Sequence, residues 1–321
     1  MKFNFKFFVL NKKIIMKILV ILASYNGEKY IKEQVDSILS QVGVDVNVKI
    51  FDDVSSDKTL QVLEVFKNDI RVEIKKNSIG SGSAANNFLN AIQTINEELI
   101  NEYDLVAFAD QDDIWLPEKL KTAGTMLTKQ GSSLYCSNLI LWDEKSNEKS
   151  IINKSFSQKK YDYLFEGGSA GCTYVFTNEF CLGLKKVLVA TNYTQWKNFS
   201  HDWFVYFYAR ATGYKVSIDS NAFILYRIHS DNVHGQLNKN SLYAIKERLK
   251  LIKQGWYFKQ IKGFNKFTRP GSVENRIYHL YSKNYLSRLY VLLRYNFELI
   301  RSSKKFIQFF IISLLPIRIN K

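Results

Sequence analysis

Three carboxylates stand within four residues at Asp110-Gln111-Asp112-Asp113, followed by Ile114-Trp115. The preceding Tyr103-Asp104-Leu105-Val106-Ala107 reads as a short buried strand. The cluster therefore sits at a strand's carboxyl end, the edge where open α/β sheets bind ligands. Like charges this close repel one another. A divalent cation holding a phosphate-bearing substrate would offset them, because oxygen ligands suit Mg²⁺ and Mn²⁺. The competing reading is a solvated acidic turn that starts the helix after Pro117.

The surrounding elements favour a site. Lys17 to Ala23 is a continuous apolar run, as expected of a strand covered on both faces. Ser24-Tyr25-Asn26-Gly27 punctuates it, and Glu28 to Gln41 has helical spacing. Val46 to Phe51 reads as a second strand ending in Asp52-Asp53, with a helix from Lys58 to about Phe66. Val72 to Lys75 is a third strand, and a helix is predicted from Ala84 to about Ile100. This alternation gives an α/β class with a mainly parallel sheet flanked by helices. Right-handed crossovers bring Ser24 to Asn26, Asp52-Asp53, Asn77 and Asp110 to Asp113 to one edge. Gly80-Ser81-Gly82 matches a dinucleotide fingerprint poorly and reads better as a tight turn opening a helix.

The second half is less regular. Ser133 to Leu141 and Cys172 to Thr177 read as strands, and Asp143 to Ser150 as a charged turn. Glu179 to Ala190 and His201 through Ala211 read as helices, with Lys215 to Ile218 and Phe223 to Tyr226 as short strands. From Ser241 the chain is basic, aromatic and helical.

The chain has 321 residues and a formal charge of +15, which suits an anionic partner: nucleic acid, acidic lipid or a phosphorylated substrate. Cys136, Cys172 and Cys181 form no CxxC pair, so free buried thiols are expected rather than a zinc site or disulfides. Residues 1–15 lack a small-residue cleavage site and read as a flexible extension, with Met16 a candidate natural start. The longest apolar run, Phe306 to Ile317, falls short of the roughly 20 residues that span a bilayer.

Five motifs, in order, resemble the inverting family 2 glycosyltransferases of GT-A fold, and especially their rhamnosyltransferase-like bacterial members. They are Ala23-Ser24-Tyr25-Asn26-Gly27; Asp52-Asp53 with Ser55-Ser56-Asp57; Asp110 to Trp115; His201-Asp202-Trp203; and Tyr226-Arg227 with His229, Asn232 and Gly235. The match covers roughly residues 17–235 and implies a catalytic domain over 16–240, with 241–321 as a helical extension. It also implies a nucleoside diphosphate sugar donor.

By this resemblance Ala23, Tyr25, Asn26, Glu28, Asp53, Asp110, Gln111 and Arg227 bind the nucleotide-sugar. Tyr25 would pack on base or ribose, or serve as a core aromatic. Asp53 would accept from a uracil or thymine imide N–H, or cap the next helix. Asp112 and His229 would hold Mn²⁺ or Mg²⁺. Arg227 would grip the diphosphate bidentately. Asp202 would be the base that deprotonates the acceptor hydroxyl, or else a helix cap. Asp113, Trp115, His201 and Trp203 fall on the acceptor side, with Trp203 stacking on a sugar or belonging to the core.

The resemblance points to rhamnose from its dTDP donor and a glycan acceptor, often lipid-linked, in surface polysaccharide synthesis. Another donor such as a UDP-hexose, a nucleotidyltransferase and a non-catalytic sugar-nucleotide binder are the alternatives. Acidic strand ends and the lack of a nucleic-acid motif argue against nucleic acid. The basic tail and Phe306 to Leu315 suggest a peripheral enzyme on the cytoplasmic face of the inner membrane, or helices packed on the catalytic domain.

Overall fold

The computed structural model describes residues 15–191, 200–228 and 255–315. At its centre is β1 (Lys17–Ser24), whose apolar run is buried from Ile18 to Ala23. On one side β1 pairs in parallel with β2 (Asp45–Asp52), and β2 with β3 (Val72–Lys76). On the other it pairs in parallel with β4 (Leu105–Asp110). The register sets Ser24 beside Asp52 and Ala23 beside Asp110. Three polar strand ends thus reach one edge together, as the alternating pattern requires.

Side chains alternate across β1, and the two sets enter different cores. Ile18, Val20 and Leu22 pack with Ile31, Val35 and Ile38 of α1 (Ile31–Leu39), Leu63 of α2 (Thr59–Leu63) and Leu120 and Leu127 further along. Leu19 and Ile21 pack with Phe88 and Ile92 of α3 (Ala84–Thr94) on the opposite face. The predicted helix 84–100 is broken: α3 stops, and α4 (Glu97–Asn101) restarts with Asn96 as its cap, accepting from Glu98 N–H. A short Asn side chain competes well for such N–H groups, which is why the helix divides there.

After β5 (Ile114–Trp115) and α5 (Lys119–Gln130) the sheet becomes mixed. Its order is β3-β2-β1-β4-β8-β6-β9-β5, with β7 (Glu148–Ile152) hairpinned onto β6 (Leu134–Asp143). The turn expected over 143–150 is thus partly strand. Cys172 lies in a 3₁₀ turn rather than a strand, and β8 spans only Val175–Thr177. The two short strands expected after Gly213 are one, β9 (Val216–Ile228), which shifts register against β6 near Asn138. Helices α6 (Asn178–Ala190) and α7 (His201–Ala211) cover this half.

Among the described residues four further helices follow: α8 (Trp256–Phe264), α9 (Val273–Lys283), α10 (Tyr285–Tyr295) and α11 (Ser303–Ser313). Their Phe264, Tyr278, Tyr281, Leu292 and Phe309 share one cluster with Phe108 and Trp203. They are continuous with the core beneath the sheet rather than appended to it. All three cysteines are free and buried. Among the described residues no helix is long and apolar enough to cross a membrane.

Candidate active site

The loops after β1 and β2 lock together through main-chain hydrogen bonds. Asn26, in the left-handed region at φ 49°, accepts through Oδ1 from Ser56 N–H (2.8 Å), while its own N–H donates to Ser55 Oγ (2.9 Å). Glu28 accepts from Lys58 N–H (2.8 Å), and Gly27 N–H donates to Thr59 Oγ1 (2.7 Å). Asp52 holds its own turn by accepting from Ser55 N–H (3.0 Å). The β4 loop joins them through Gln111: its Oε1 accepts from Tyr25 N–H (2.8 Å) and its Nε2 donates to Tyr25 O (2.9 Å). Gly27 is required there, because a Cβ would lie 2.7 Å from Gln111 Cδ. Held this way, the Tyr25 ring remains 57% exposed.

Asp53 is buried. Its Oδ1 accepts from Asn77 Nδ2 (3.0 Å) and Ser81 N–H (2.7 Å), and its Oδ2 from Ser81 Oγ (2.7 Å). It therefore orders the loop over Gly80-Ser81-Gly82 rather than capping α2. A carboxylate offers about four acceptor sites, so capacity remains for one further donor.

The acidic cluster is electrostatically costly. Burial pushes Asp110 up to about 7, with the charges of Asp112 and then Asp202 adding to the shift. Asp113 is fully buried and is also held well above the usual carboxylate range, by burial first and then by Asp112 and Asp110. Both Asp113 oxygens lie buried without a close hydrogen bond of good geometry among the described residues, with the Cys172 thiol and the Arg227 backbone as their weak neighbours. Asp110, Asp113 and Cys172 bring one ligand atom each within 4.8 Å of one another. An orphaned carboxylate beneath two further acids fits a divalent cation.

Asp202 lies in the first turn of α7. Ser200 is the cap, accepting from Trp203 N–H. Asp202 Oδ1 also accepts from Trp203 N–H (2.7 Å), and its carbonyl accepts from Tyr174 Oη–H (3.0 Å). The cap role open to Asp202 in the sequence is thus filled by Ser200. Asp202 lies near enough to the acidic cluster for its charge to add to the upward shift of Asp110.

The family model of glycosyl transferase family 2 matches residues 19–188. This chain belongs to that family. It is 34% identical over 278 residues to the Shigella flexneri dTDP-rhamnosyl transferase RfbG, covering 85% of this chain and 92% of that one. It is 32% identical over 159 residues to an Escherichia coli UDP-Glc:alpha-D-GlcNAc-diphosphoundecaprenol beta-1,3-glucosyltransferase, WfgD, covering 49% and 58% of the two. Among solved structures it resembles S. aureus TarS 1-349 in complex with UDP, with TM-score 0.53, 18% identity and coverage of 93% and 89%. It also resembles the Pyrobaculum calidifontis mannosyltransferase PcManGT in complex with GDP-Man and Mn²⁺, with TM-score 0.54, 14% identity and coverage of 88% and 76%. The fold is GT-A, and the protein is a glycosyltransferase.

Several residues of this family 2 glycosyltransferase stand elsewhere than the sequence suggested. Arg227 is fully buried between the rings of Tyr30 (4.5 Å) and Trp142 (4.6 Å) and ion-paired with Glu33 and Glu144. Its Nε donates to the Asp112 carbonyl (3.0 Å). With both faces and both ends engaged, its guanidinium anchors the acidic loop and is not presented to a diphosphate. Trp203 is core: its Nε1 donates to Tyr163 O (2.8 Å) and its ring meets Phe264 (5.0 Å). No face is left for a sugar. Trp115 is likewise buried beneath Lys119 Nζ (3.5 Å from the ring centre), and Asp113 points inward, so neither lines an acceptor path. His201 stacks on Phe88 (4.7 Å) behind Asp202. Ala23 is buried on β1, beside Asp110. His229, Asn232 and Gly235 lie outside the described residues, as do 1–14.

Sequence reasoning missed other residues. Gln34 Nε2 donates to the Asp110 carbonyl (2.9 Å) from inside α1. Lys154 lies close enough to Asp202 to feel its charge, and burial followed by the nearby Lys305 holds it down to about 8. Arg301 donates to the Gly168 carbonyl (3.0 Å) and pairs with Glu166 (3.2 Å). A Cβ on the adjoining Gly167 would stand 3.2 Å from Trp203 Cα. These residues carry no motif, and only Gly167-Gly168 marked the region as a loop.

Proposed function

We propose that this glycosyltransferase moves rhamnose from dTDP-rhamnose to a glycan acceptor with inversion. The observation that carries the donor is the 34% identity to RfbG over most of both chains. In this reading Tyr25 covers the base, and Asp53 accepts the thymine imide N–H. Asp110 and Asp112 lie on the diphosphate side, with His229 completing the set. A divalent cation held there, Mn²⁺ or Mg²⁺, would supply the positive charge that a departing diphosphate requires. The Mn²⁺ in the PcManGT complex supports this assignment.

Asp202 accepts the proton of the acceptor hydroxyl as that oxygen bonds to the anomeric carbon. The bond from anomeric carbon to diphosphate breaks, and dTDP leaves with the electron pair. The acceptor in this reading is a lipid-linked glycan, which the alpha-D-GlcNAc-diphosphoundecaprenol in the name of WfgD supports, and the protein works peripherally at the cytoplasmic face of a membrane.

A thermal-shift screen of dTDP-, UDP- and GDP-sugars with Mn²⁺ tests the donor, since a ligand of the native state raises apparent stability. dTDP-rhamnose is expected to give the largest shift; preference for a UDP-hexose would replace rhamnose by another donor. Asp202→Asn should lower transfer by about 10²–10⁴-fold with the donor shift retained. Full transfer by that variant would remove Asp202 as the base.

A further inference from the structure

Among the described residues, two C-terminal helices expose several large apolar side chains close together. Helix α10 buries Arg288, Val291 and Leu292. Its opposite side carries Leu286, Tyr290 and Leu293, followed by Phe297, all between 44 and 75% exposed. At about 100° per residue the three on the helix fall within an arc of about 60°, and Phe297 lies in the 3₁₀ turn that follows. Helix α11 buries Phe306, Phe309 and Ser313 and exposes Ile307 and Ile311. The helices run antiparallel: Arg288 Nη1 donates to Ser313 O (3.1 Å), and the Phe297 and Phe306 rings meet at 4.7 Å. Single exposed apolar side chains are ordinary, whereas two neighbouring stripes mark an interaction surface.

We propose that the α10–α11 face docks on an anionic lipid bilayer. This rests on the reading that the enzyme works at a membrane, and it names the surface. It also divides the Phe306 to Leu315 run singled out in the sequence: Phe306 and Phe309 face the core, and only Ile307 and Ile311 join the face. Charge selects lipid over a second copy of the chain. Exposed Lys283, Arg294 and Lys304 border the stripes, against a single exposed acid, Glu298. A two-fold contact would set this basic border against itself, whereas anionic headgroups complement it. Tyrosines beside aliphatic side chains are also the composition of a membrane–water boundary. The face adjoins the site through Arg301, one turn before α11, which holds the Gly167–Gly168 loop behind Trp203.

The test is co-sedimentation of the full chain with phosphatidylcholine vesicles, with and without phosphatidylglycerol. Wild type should bind only the phosphatidylglycerol vesicles. Leu286→Glu/Leu293→Glu should lose at least about ten-fold of that binding while keeping its melting temperature and its dTDP-rhamnose shift. Lys283→Glu/Lys304→Glu should weaken it in the same direction. If wild type binds and the leucine variant binds equally, this face is wrong and the membrane reading stands. If wild type binds neither vesicle, the membrane reading itself falls. A wild-type dimer that the leucine variant dissolves, without vesicle binding, would assign the face to a second copy and overturn the lipid.

Discussion

Arg227 and Arg301 are both buried arginines beside the candidate site, but they are buried against different partners. Arg227 sits between two rings and pairs with Glu33 and Glu144, whose side chains are about half exposed. Arg301 pairs with Glu166 and lies 3.6 Å from Asp162, which is itself fully buried, while donating to the carbonyls of Lys154, Gly167 and Gly168. Water can take over the glutamates if Arg227 is lost. It cannot reach Asp162 in the same way. One arginine mainly places a loop, and the other shares with Arg210, 3.0 Å from Asp162, the neutralisation of an interior charge. Arg227 reaches the acidic loop through the Asp112 carbonyl, and Arg301 reaches the glycine loop through the Gly168 carbonyl.

The largest expected effect tests the interior charge. Arg301→Met should destabilise the fold by about 3–5 kcal/mol in denaturant unfolding: Asp162 keeps Arg210, but Glu166 and the Gly167 and Gly168 carbonyls lose this buried donor. Arg227→Met should cost less, about 1–3 kcal/mol, yet shrink the Mn²⁺-dependent thermal shift given by a dTDP-sugar. If the two variants cost the same, or if Arg301→Met is the one that loses the metal response, the contrast between them is broken. Gln111→Ala sharpens the donor side at lower cost, about 1 kcal/mol, by releasing the two-point hold on Tyr25. It should raise the donor KM and leave the acceptor KM unchanged, and steady-state kinetics on both substrates would show the reverse pattern if the clamp served the acceptor.

The smallest effect is one of pH. Asp110 is raised to about 7, so the folded protein favours its protonated form. The stability this contributes is complete below the ordinary value near 3.8 and fades as pH rises through about 7. A cation binds the ionised form. The stabilisation given by Mg²⁺ should therefore be larger at about pH 8 than at about pH 6. Equal shifts at the two values would detach Asp110 from the cation.

Much of this contrast was invisible in the sequence. Glu33 and Glu144 lie 194 and 83 residues from Arg227, and nothing local ties the three together. A Tyr-Arg pair at a strand end is equally compatible with a ligand contact and a buried clamp. The same holds for Trp203, whose place in a helix opened by Asp202 does not say which way its ring turns. Helix α10 has an ordinary amphipathic pattern, and its exposed stripe is defined only by which side the remaining helices cover.

The sequence by itself determined the parallel half. Short apolar runs alternating with stretches of helical spacing read as strands covered on both faces, and the right-handed helical crossovers between them send every polar strand end to one edge. That was enough to gather Ser24, Asp52 and Asp110 and to locate the acidic cluster. The tertiary structure alone decided which carboxylates face inward, that Arg227 is an anchor, and that the C-terminal helices share the core beneath the sheet. Those outcomes depend on burial and on partners distant in the chain, and burial is a property of the assembled layers rather than of any local spacing.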